Sequence, residues 1–277
     1  RRYDYSSSGS HSEDDTREDS DSRHHRRRKH NKRDRRDREN KENSGNSETG
    51  SALQSSGHAH HHHHHANGAP LDPQAYVLQY PPVSEEDLNI LFYKSRTCYH
   101  FLPMAIPHEL LRNAMKLTLL APSAYNCCPI RVIFVVNGSP QREKLLTAVD
   151  EANKRQCSEA PVIAIVCTDN HYTRNLPKLM PYVPNAQQMF EQYDDLNEMI
   201  RIRNTNLQGG YLILALRSLG LGVGPISGFD NEIVDAAFLQ NTSWKSNFLV
   251  NIGYPDPDFP PSPRAYRLPF DVAAKLI

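Results

Sequence analysis

The feature that most constrains this chain is a break in composition near residue 69. Residues 1–50 hold 14 Lys/Arg and 12 Asp/Glu with almost no aliphatic side chain, so burial there cannot offset the entropy lost on ordering. A Ser/Gly/His stretch, residues 51–68, follows and contains the unbroken run His60 to His65. From Ala69 onward the aliphatic content is that of a globular core. The expected organisation is a disordered, charged and His-rich extension over residues 1–68 and one folded domain over residues 69–277.

The zero net charge is a cancellation between a slightly basic tail and a slightly acidic remainder, so the folded part is not a general polyanion binder. Arg23 to Arg38 is strongly basic and follows an acidic patch, Glu13 to Asp21. That pattern suits a nuclear address or an RNA-binding arm, but a solvated low-complexity tail is the simpler reading. Any contact with nucleic acid would run through the tail only. The His tract suits metal chelation or a tag-like repeat, and no functional metal site is expected. Cys98, Cys127, Cys128, Cys157 and Cys167 are odd in number with no C-x-x-C spacing, which indicates neither a disulfide framework nor a zinc site. A reducing, cytoplasmic location follows, with the nucleus open if the basic tail is native. No apolar run is long enough to span a bilayer, and the N-terminal residues are too polar for a signal peptide.

Within the folded part, Ser84 followed by Glu85, Glu86 and Asp87 reads as a capped helix start. Pro107 should open a second helix, with Leu110, Leu111, Ala114, Leu117 and Leu120 at helical spacing. Arg131 to Val136, Pro161 to Cys167 and Phe248 to Ile252 read as buried strands. Ser139-Pro140 opens a helix, and Asn185 to Leu219 reads as one long, partly interrupted helix stopped by Gly220. Gly224 to Ser227 is a short extended piece, and Asp230 caps a helix running to Phe238. No G-x-G-x-x-G follows a strand and no P-loop is present, which argues against a Rossmann domain. The expected class is α+β, a central sheet flanked by helices.

Four segments carry a more specific signal: Ser95 to His100 (SRTCYH), Ala121 to Pro129 (APSAYNCCP), Gly224 to Asp230 (GPISGFD), and Asn251 to Pro255 (NIGYP) with Tyr266 to Pro269 (YRLP). In this order they resemble the FMN-dependent nitroreductase family over roughly residues 91–277. The run Leu219 to Asp230, the run Trp244 to Tyr254 and the pair Arg203-Asn204 are similar to the subgroup that reduces malonic semialdehyde to 3-hydroxypropanoate. The resemblance implies a mixed central sheet and an intertwined homodimer with FMN at the subunit interface. It also implies NAD(P)H as hydride donor and a small acceptor, foremost an aldehyde such as malonic semialdehyde.

The same resemblance implies roles for individual residues. FMN carries a phosphate dianion, for which Arg96 and Arg267 are the candidate cations, because a guanidinium pairs bidentately with phosphate oxygens. Thr97, Cys98 and His100 complete the first loop. Asn126 can offer donor and acceptor to the pyrimidine edge of the flavin, though an asparagine also caps turns. Ser227 and Gly228 would present backbone N–H groups to flavin N5 and O4, and Asn153 falls where the family places another FMN-contacting asparagine. The chain departs from the family at His100, Cys128 and Gln156, where His replaces a terminal cation, Cys a Gln and Gln an expected Lys. Cys127 and Cys128 have no adjoining acid or histidine, so inert thiols are the simpler reading over nucleophiles. Gly209-Gly210 weakens the long helix, which implies close packing against a partner helix or the flavin. Arg203 is the candidate anchor for a substrate carboxylate, against the plain alternative of a surface ion pair. Nitroaromatic, quinone or enone acceptors form the alternative within the family. An inactive reductase scaffold carrying a nucleic-acid or nuclear interaction tail forms the alternative outside it.

Overall fold

The structure is a computed structural model that describes residues 81–277. The basic and His-rich segments, and every expectation placed on them, lie outside the described residues. Helix α1 (Glu85–Leu88) runs on as a π-helical turn, Asn89–Tyr93, and the Ser84 hydroxyl accepts from the Asp87 N–H as its cap. After it come α2 (His108–Thr118), β1 (Ile130–Val136), α3 (Pro140–Ala148), α4 (Glu151–Glu159) and β2 (Val162–Asp169). Short helices α5 (Leu176–Leu179) and α6 (Ala186–Glu191) precede the long α7 (Asp194–Ser218). Then β3 (Gly222–Ile226), α8 (Asn231–Val234) with its π-helical turn Asp235–Leu239, β4 (Trp244–Gly253) and α9 (Phe270–Ala273) complete the described chain. The expected break in the long helix falls at Gln192-Tyr193, where the Tyr193 backbone leaves helical angles. Helices α4, α5 and α9 were not expected from the sequence; α4 escaped because its polar sequence EANKRQCSE shows no apolar stripe.

The sheet order is β1-β2-β4-β3. The class is α+β, as expected, but every pairing among the described residues is antiparallel, which corrects the expected mixed sheet. The α3–α4 connection works as an expanded hairpin: Val136 at the end of β1 faces Val162 at the start of β2, so β2 returns without crossing over. Strand β2 is buried along its whole length and has helices on both faces. Its even-numbered Val162, Ala164 and Val166 pack with Ala114 of α2 and Leu212 and Leu216 of α7. Its odd-numbered Ile163, Ile165 and Cys167 pack with Leu145, Val234 and Leu239 on the opposite face. That is the period-two alternation of a strand buried on two sides.

Two local features fix these layers. An ideal Cβ on Gly209 would lie 2.6 Å from the Phe248 ring, so the glycine lets α7 approach β4. The partner that accounts for Gly209 is thus the sheet, neither another helix nor a flavin. Gly210 is exposed, with no heavy atom within 4 Å of its ideal Cβ. Arg142 is almost wholly buried and donates to the carbonyls of Val135, Cys157 and Ala160. Two of those carbonyls lie at the C-terminal end of α4, where a cation is favoured by the helix dipole. No described helix is long and apolar enough to cross a membrane.

Candidate functional site

The segment after α1 lies along β3. The Cys98 N–H donates to the Val223 carbonyl at 2.9 Å. Glycines on β3 make this possible: an ideal Cβ on Gly222 would lie 2.9 Å from the Cys98 sulfur, and one on Gly224 would lie 2.7 Å from the Cys98 carbonyl oxygen. The close approach puts Arg96 at the mouth of a cavity of about 470 Å³ lined also by Arg217, Arg264 and Arg267. Arg96 Nη1 donates to the carbonyls of Tyr93 and Ser95 at 3.0 and 2.8 Å. Arg264 Nη2 donates to Phe92, Tyr93 and Ser95, at 2.6, 3.1 and 2.9 Å. Arg267 donates to Ala265 and Tyr266, and Arg217 to Leu91. None of the ion pairs among the described residues includes any of these four arginines. Desolvation, then the charges of Arg96 and Arg267, lower the Arg264 pKa; burial, then the charge of Arg264, lower that of Arg217.

A larger neighbouring cleft, about 790 Å³, is lined by Thr97, Cys98, His100, Arg155 and Phe259 together with Arg96 and Arg217. His100 stacks on Phe259 with ring centroids 4.2 Å apart. Its Nδ1 lies 3.2 Å from Glu159 and its Nε2 lies 3.2 Å from Arg155 Nη2. Arg155 Nε also lies 3.8 Å from Glu159, so His100, Arg155 and Glu159 form one charged cluster on this side of the cleft. The Cys98 sulfur donates to the His100 carbonyl, and burial pushes that thiol pKa up.

Farther along the same strand, the bend Ser227-Gly228 is clamped by α4. The Asn153 Nδ2 donates to the Gly228 carbonyl at 3.2 Å, and Gln156 Nε2 donates to Asn153 Oδ1 at 2.8 Å. The Asp150 N–H also donates to Gly228 O. An ideal Cβ on Gly228 would lie 2.5 Å from Asn153 Nδ2 and 2.7 Å from Asp150 Oδ2, so only glycine fits the clamp as built. The N–H groups of Ser227 and Gly228 have no acceptor among the described residues. Two adjacent free N–H groups suit an electron-rich edge of a planar ligand.

Asn126 belongs to a different neighbourhood. Tyr125, Asn126 and Cys128 all have positive φ, at 55°, 50° and 40°, a costly arrangement for three non-glycine residues in one loop. The loop is tied to α7 by the Ala124 N–H donating to Asn204 Oδ1 at 2.8 Å, and Asn126 Nδ2 donates to the Leu179 carbonyl.

Comparison with known proteins gives the family. The family model described as "Nitroreductase family" matches residues 93–254. A "Putative NADH dehydrogenase/NAD(P)H nitroreductase" from Stutzerimonas stutzeri is 39% identical over 71% of this chain and 99% of its own length. The chain belongs to the nitroreductase family. The nitroreductase family protein from Streptococcus pneumoniae TIGR4 has the same fold, with a TM-score of 0.60 at 26% identity over 68% of this chain and 98% of that one. A "putative nitroreductase in complex with FMN" from Exiguobacterium sibiricum gives a TM-score of 0.60 at 22% identity over 71% of this chain and 99% of that one.

Of the residues expected at a nitroreductase-family site, Arg96, Thr97, Cys98, His100 and Arg267 are gathered around the two clefts. Asn153, Ser227 and Gly228 form the second cluster at the end of β3. Asn126 does not join either within one chain. It precedes β1, on the opposite sheet edge from β3; it lies at the far end of the sheet from Gly222 and the clefts, and shares with Ile226 the end that carries Ser227 and Gly228, two strands away. Arg203 is exposed on α7 without an ion-pair partner among the described residues, so it is not the surface ion pair of the plain alternative. Its neighbour Asn204 holds the Asn126 loop. Gln156 faces Asn153 and is buried, so it is not a phosphate contact in place of the missing Lys. Cys127 is fully buried and its pKa is pushed up to about 11, first by burial, which keeps the thiol neutral and unreactive. Sequence reasoning missed Arg155, Arg217 and Arg264. Arg264 lies three residues before Arg267 and was within reach of a count of basic residues there; only folding brings Arg155 and Arg217 to the clefts.

Proposed function

We propose that this chain is an FMN-dependent NAD(P)H oxidoreductase that reduces a small aldehyde, of which malonic semialdehyde is the foremost candidate. The observation that carries the reading is the convergence of four arginines, none ion-paired among the described residues, at a first loop that lies along the strand whose far end carries the free Ser227 and Gly228 N–H groups. The fit to FMN is chemical. A dianion suits the arginines, two of whose Nε atoms, on Arg96 and Arg217, are buried without an acceptor. When bound, FMN supplies hydride transfer from NAD(P)H to the acceptor. Arg96 and Arg267 hold the phosphate; Thr97, Cys98 and His100 line the passage from it. Ser227 and Gly228 donate N–H groups to the ring, and Asn153 holds their bend in place.

The site is completed, in this reading, by a second copy of the chain. Helix α7 exposes Leu196, Met199, Ile202, Leu207 and Tyr211, and the C-terminal segment exposes Tyr266, Leu268, Phe270 and Val272, large apolar side chains suited to a subunit interface. A homodimer covers it and offers a route by which Asn126 and Arg203 of one copy approach the cleft of the other. The folded unit is residues 69–277, with residues 1–68 as an extension.

The absorption spectrum of the purified protein tests the cofactor: flavin bands near about 450 nm are expected, and a colourless protein that takes up no added FMN refutes the reading. A panel of acceptors tests the substrate. Arg203→Ala is expected to lower activity toward the charged aldehyde and spare a neutral quinone; equal loss on both removes Arg203 as the carboxylate anchor. The name of the Stutzerimonas relative favours a second reading, a nitro or quinone acceptor, which predicts faster turnover of nitroaromatics than of any aldehyde.

A further inference from the structure

The Ser227-Gly228 bend is tied to its neighbours by backbone alone. The Asp150 N–H donates to the Gly228 carbonyl at 3.1 Å, the Asp230 N–H donates to the Ala148 carbonyl at 2.8 Å, and Val149 and Phe229 form an antiparallel bridge. The side chains of Asn153 and Gln156 add two further bonds to a bend that is already placed. Gln156 is 8% exposed; its Nε2 donates to Asn153 Oδ1, and its Oε1 has no partner among the described residues. A buried, half-satisfied amide costs more than an apolar side chain of the same size, so its one bond needs a use. The direction of the bonds supplies it. Asn153 can offer only Nδ2 to the Gly228 carbonyl, so its Oδ1 faces Gln156, which must donate. Beyond Asn153 the same sense continues through the backbone. The peptide that carries the Gly228 carbonyl also carries the Phe229 N–H, which donates to the Ser227 carbonyl at 3.1 Å. The peptide that carries the Ser227 carbonyl also carries the Gly228 N–H, which has no acceptor among the described residues. Four amide groups, two from side chains and two from the backbone, thus run donor to acceptor in one direction and end on the Gly228 N–H. Hydrogen bonds in series polarise one another, by roughly 10–30% per bond, so the last N–H is a stronger donor than an isolated amide.

We propose that Gln156 is a positioning residue: through Asn153 it fixes the direction of this amide series and strengthens the Gly228 N–H as a donor to a ring edge that gains negative charge. Gln156 itself touches no reacting atom. The identity of the ring rests on the FMN reading above; the amide series does not. The effect is selective. A stronger donor favours the reduced, electron-rich flavin over the oxidised one, which raises the midpoint potential of the bound cofactor.

The test compares the full chain with Gln156→Met and Gln156→Glu. Three quantities are read: the proton shift of the Gly228 amide by NMR, the dissociation constant of oxidised FMN, and the midpoint potential of the bound flavin. Melting temperatures report folding. Methionine matches glutamine in size and removes the donor. Gln156→Met is expected to move the Gly228 amide proton upfield and to leave oxidised FMN within about twofold of wild type. Reduced relative to oxidised flavin should weaken about three- to tenfold, which lowers the midpoint potential by about 15–30 mV for two electrons. An ionised Glu cannot donate, and protonation returns the donor. The deficit of Gln156→Glu against wild type at the same pH is therefore expected to shrink as pH falls through the pKa of that carboxyl, a recovery that lost packing would not give. If Gln156→Met unfolds, the Glu variant across pH carries the comparison. An unchanged potential with an unchanged Gly228 shift overturns the proposal. Equal weakening of oxidised and reduced FMN overturns it too and leaves Gln156 as packing. A wild-type protein that takes up no FMN refutes the cofactor reading, while the Gly228 shift in the variants still decides the amide series.

Discussion

Gly224→Ala should unseat the first loop of the site from a distance. The ideal Cβ lies 2.7 Å from the Cys98 carbonyl oxygen, about 0.7 Å inside ordinary contact. The obstacle is backbone, and that backbone is pinned by the Cys98 N–H to Val223 bond, so rotamer change cannot relieve it. Moving the loop strains or breaks that bond. Overpacking costs about 1–3 kcal/mol and the weakened hydrogen bond about 1 kcal/mol. Against this, replacing glycine restricts the unfolded chain and returns about 0.4–1 kcal/mol. The net expectation is a loss of about 1–3 kcal/mol, read as a lower midpoint in urea with unchanged slope. Because Arg96 is two residues from Cys98, affinity for FMN should fall as well. A variant within about 0.5 kcal/mol of wild type that binds FMN normally would refute the claim that the β3 glycines set the position of Arg96.

Arg142→Met should destabilise the fold by about 3 kcal/mol or more in urea unfolding, because it strands the buried carbonyls of Val135, Cys157 and Ala160; an effect below about 1 kcal/mol would mean that water reaches them. Cys127 has a folded pKa of about 11 against an ordinary value of 9.0, so the folded state holds its proton longer. Its contribution to stability is fully present below pH 9 and is lost as pH rises through about 11; Cys127→Ala should therefore show a shallower fall in stability across that window, and identical slopes would count against it. Leu207→Glu places a charge on the exposed apolar face of α7 and should shift the protein toward monomer in sedimentation, with FMN affinity lost in parallel. An unchanged dimer would put the interface elsewhere.

Local chemistry was readable along much of the chain. Ser84 and Ser139 cap helices as their side chains suggest, and the uninterrupted apolar run at residues 161–167 is a strand buried on both faces. These outcomes depend on neighbours a few residues apart, so periodicity and capping expose them. Helix α4 escaped because its buried face carries Gln156 and Cys157 rather than an aliphatic stripe. Sheet direction escaped because pairing is settled by how the α3–α4 connection packs, which no local pattern records.

The four motifs by themselves determined the family, the loop around Arg96 and the bend at Gly228, since each is a short run of residue types with a fixed backbone use. Only the tertiary structure brought Arg217 and Arg264 to Arg96 and Arg267, turned Gln156 toward Asn153, and separated Asn126 from them all. The reason is range: a charge cluster assembled from the first loop, the end of α7 and the C-terminal segment is decided by which faces of the sheet and helices must be buried, and that is a property of the packed whole.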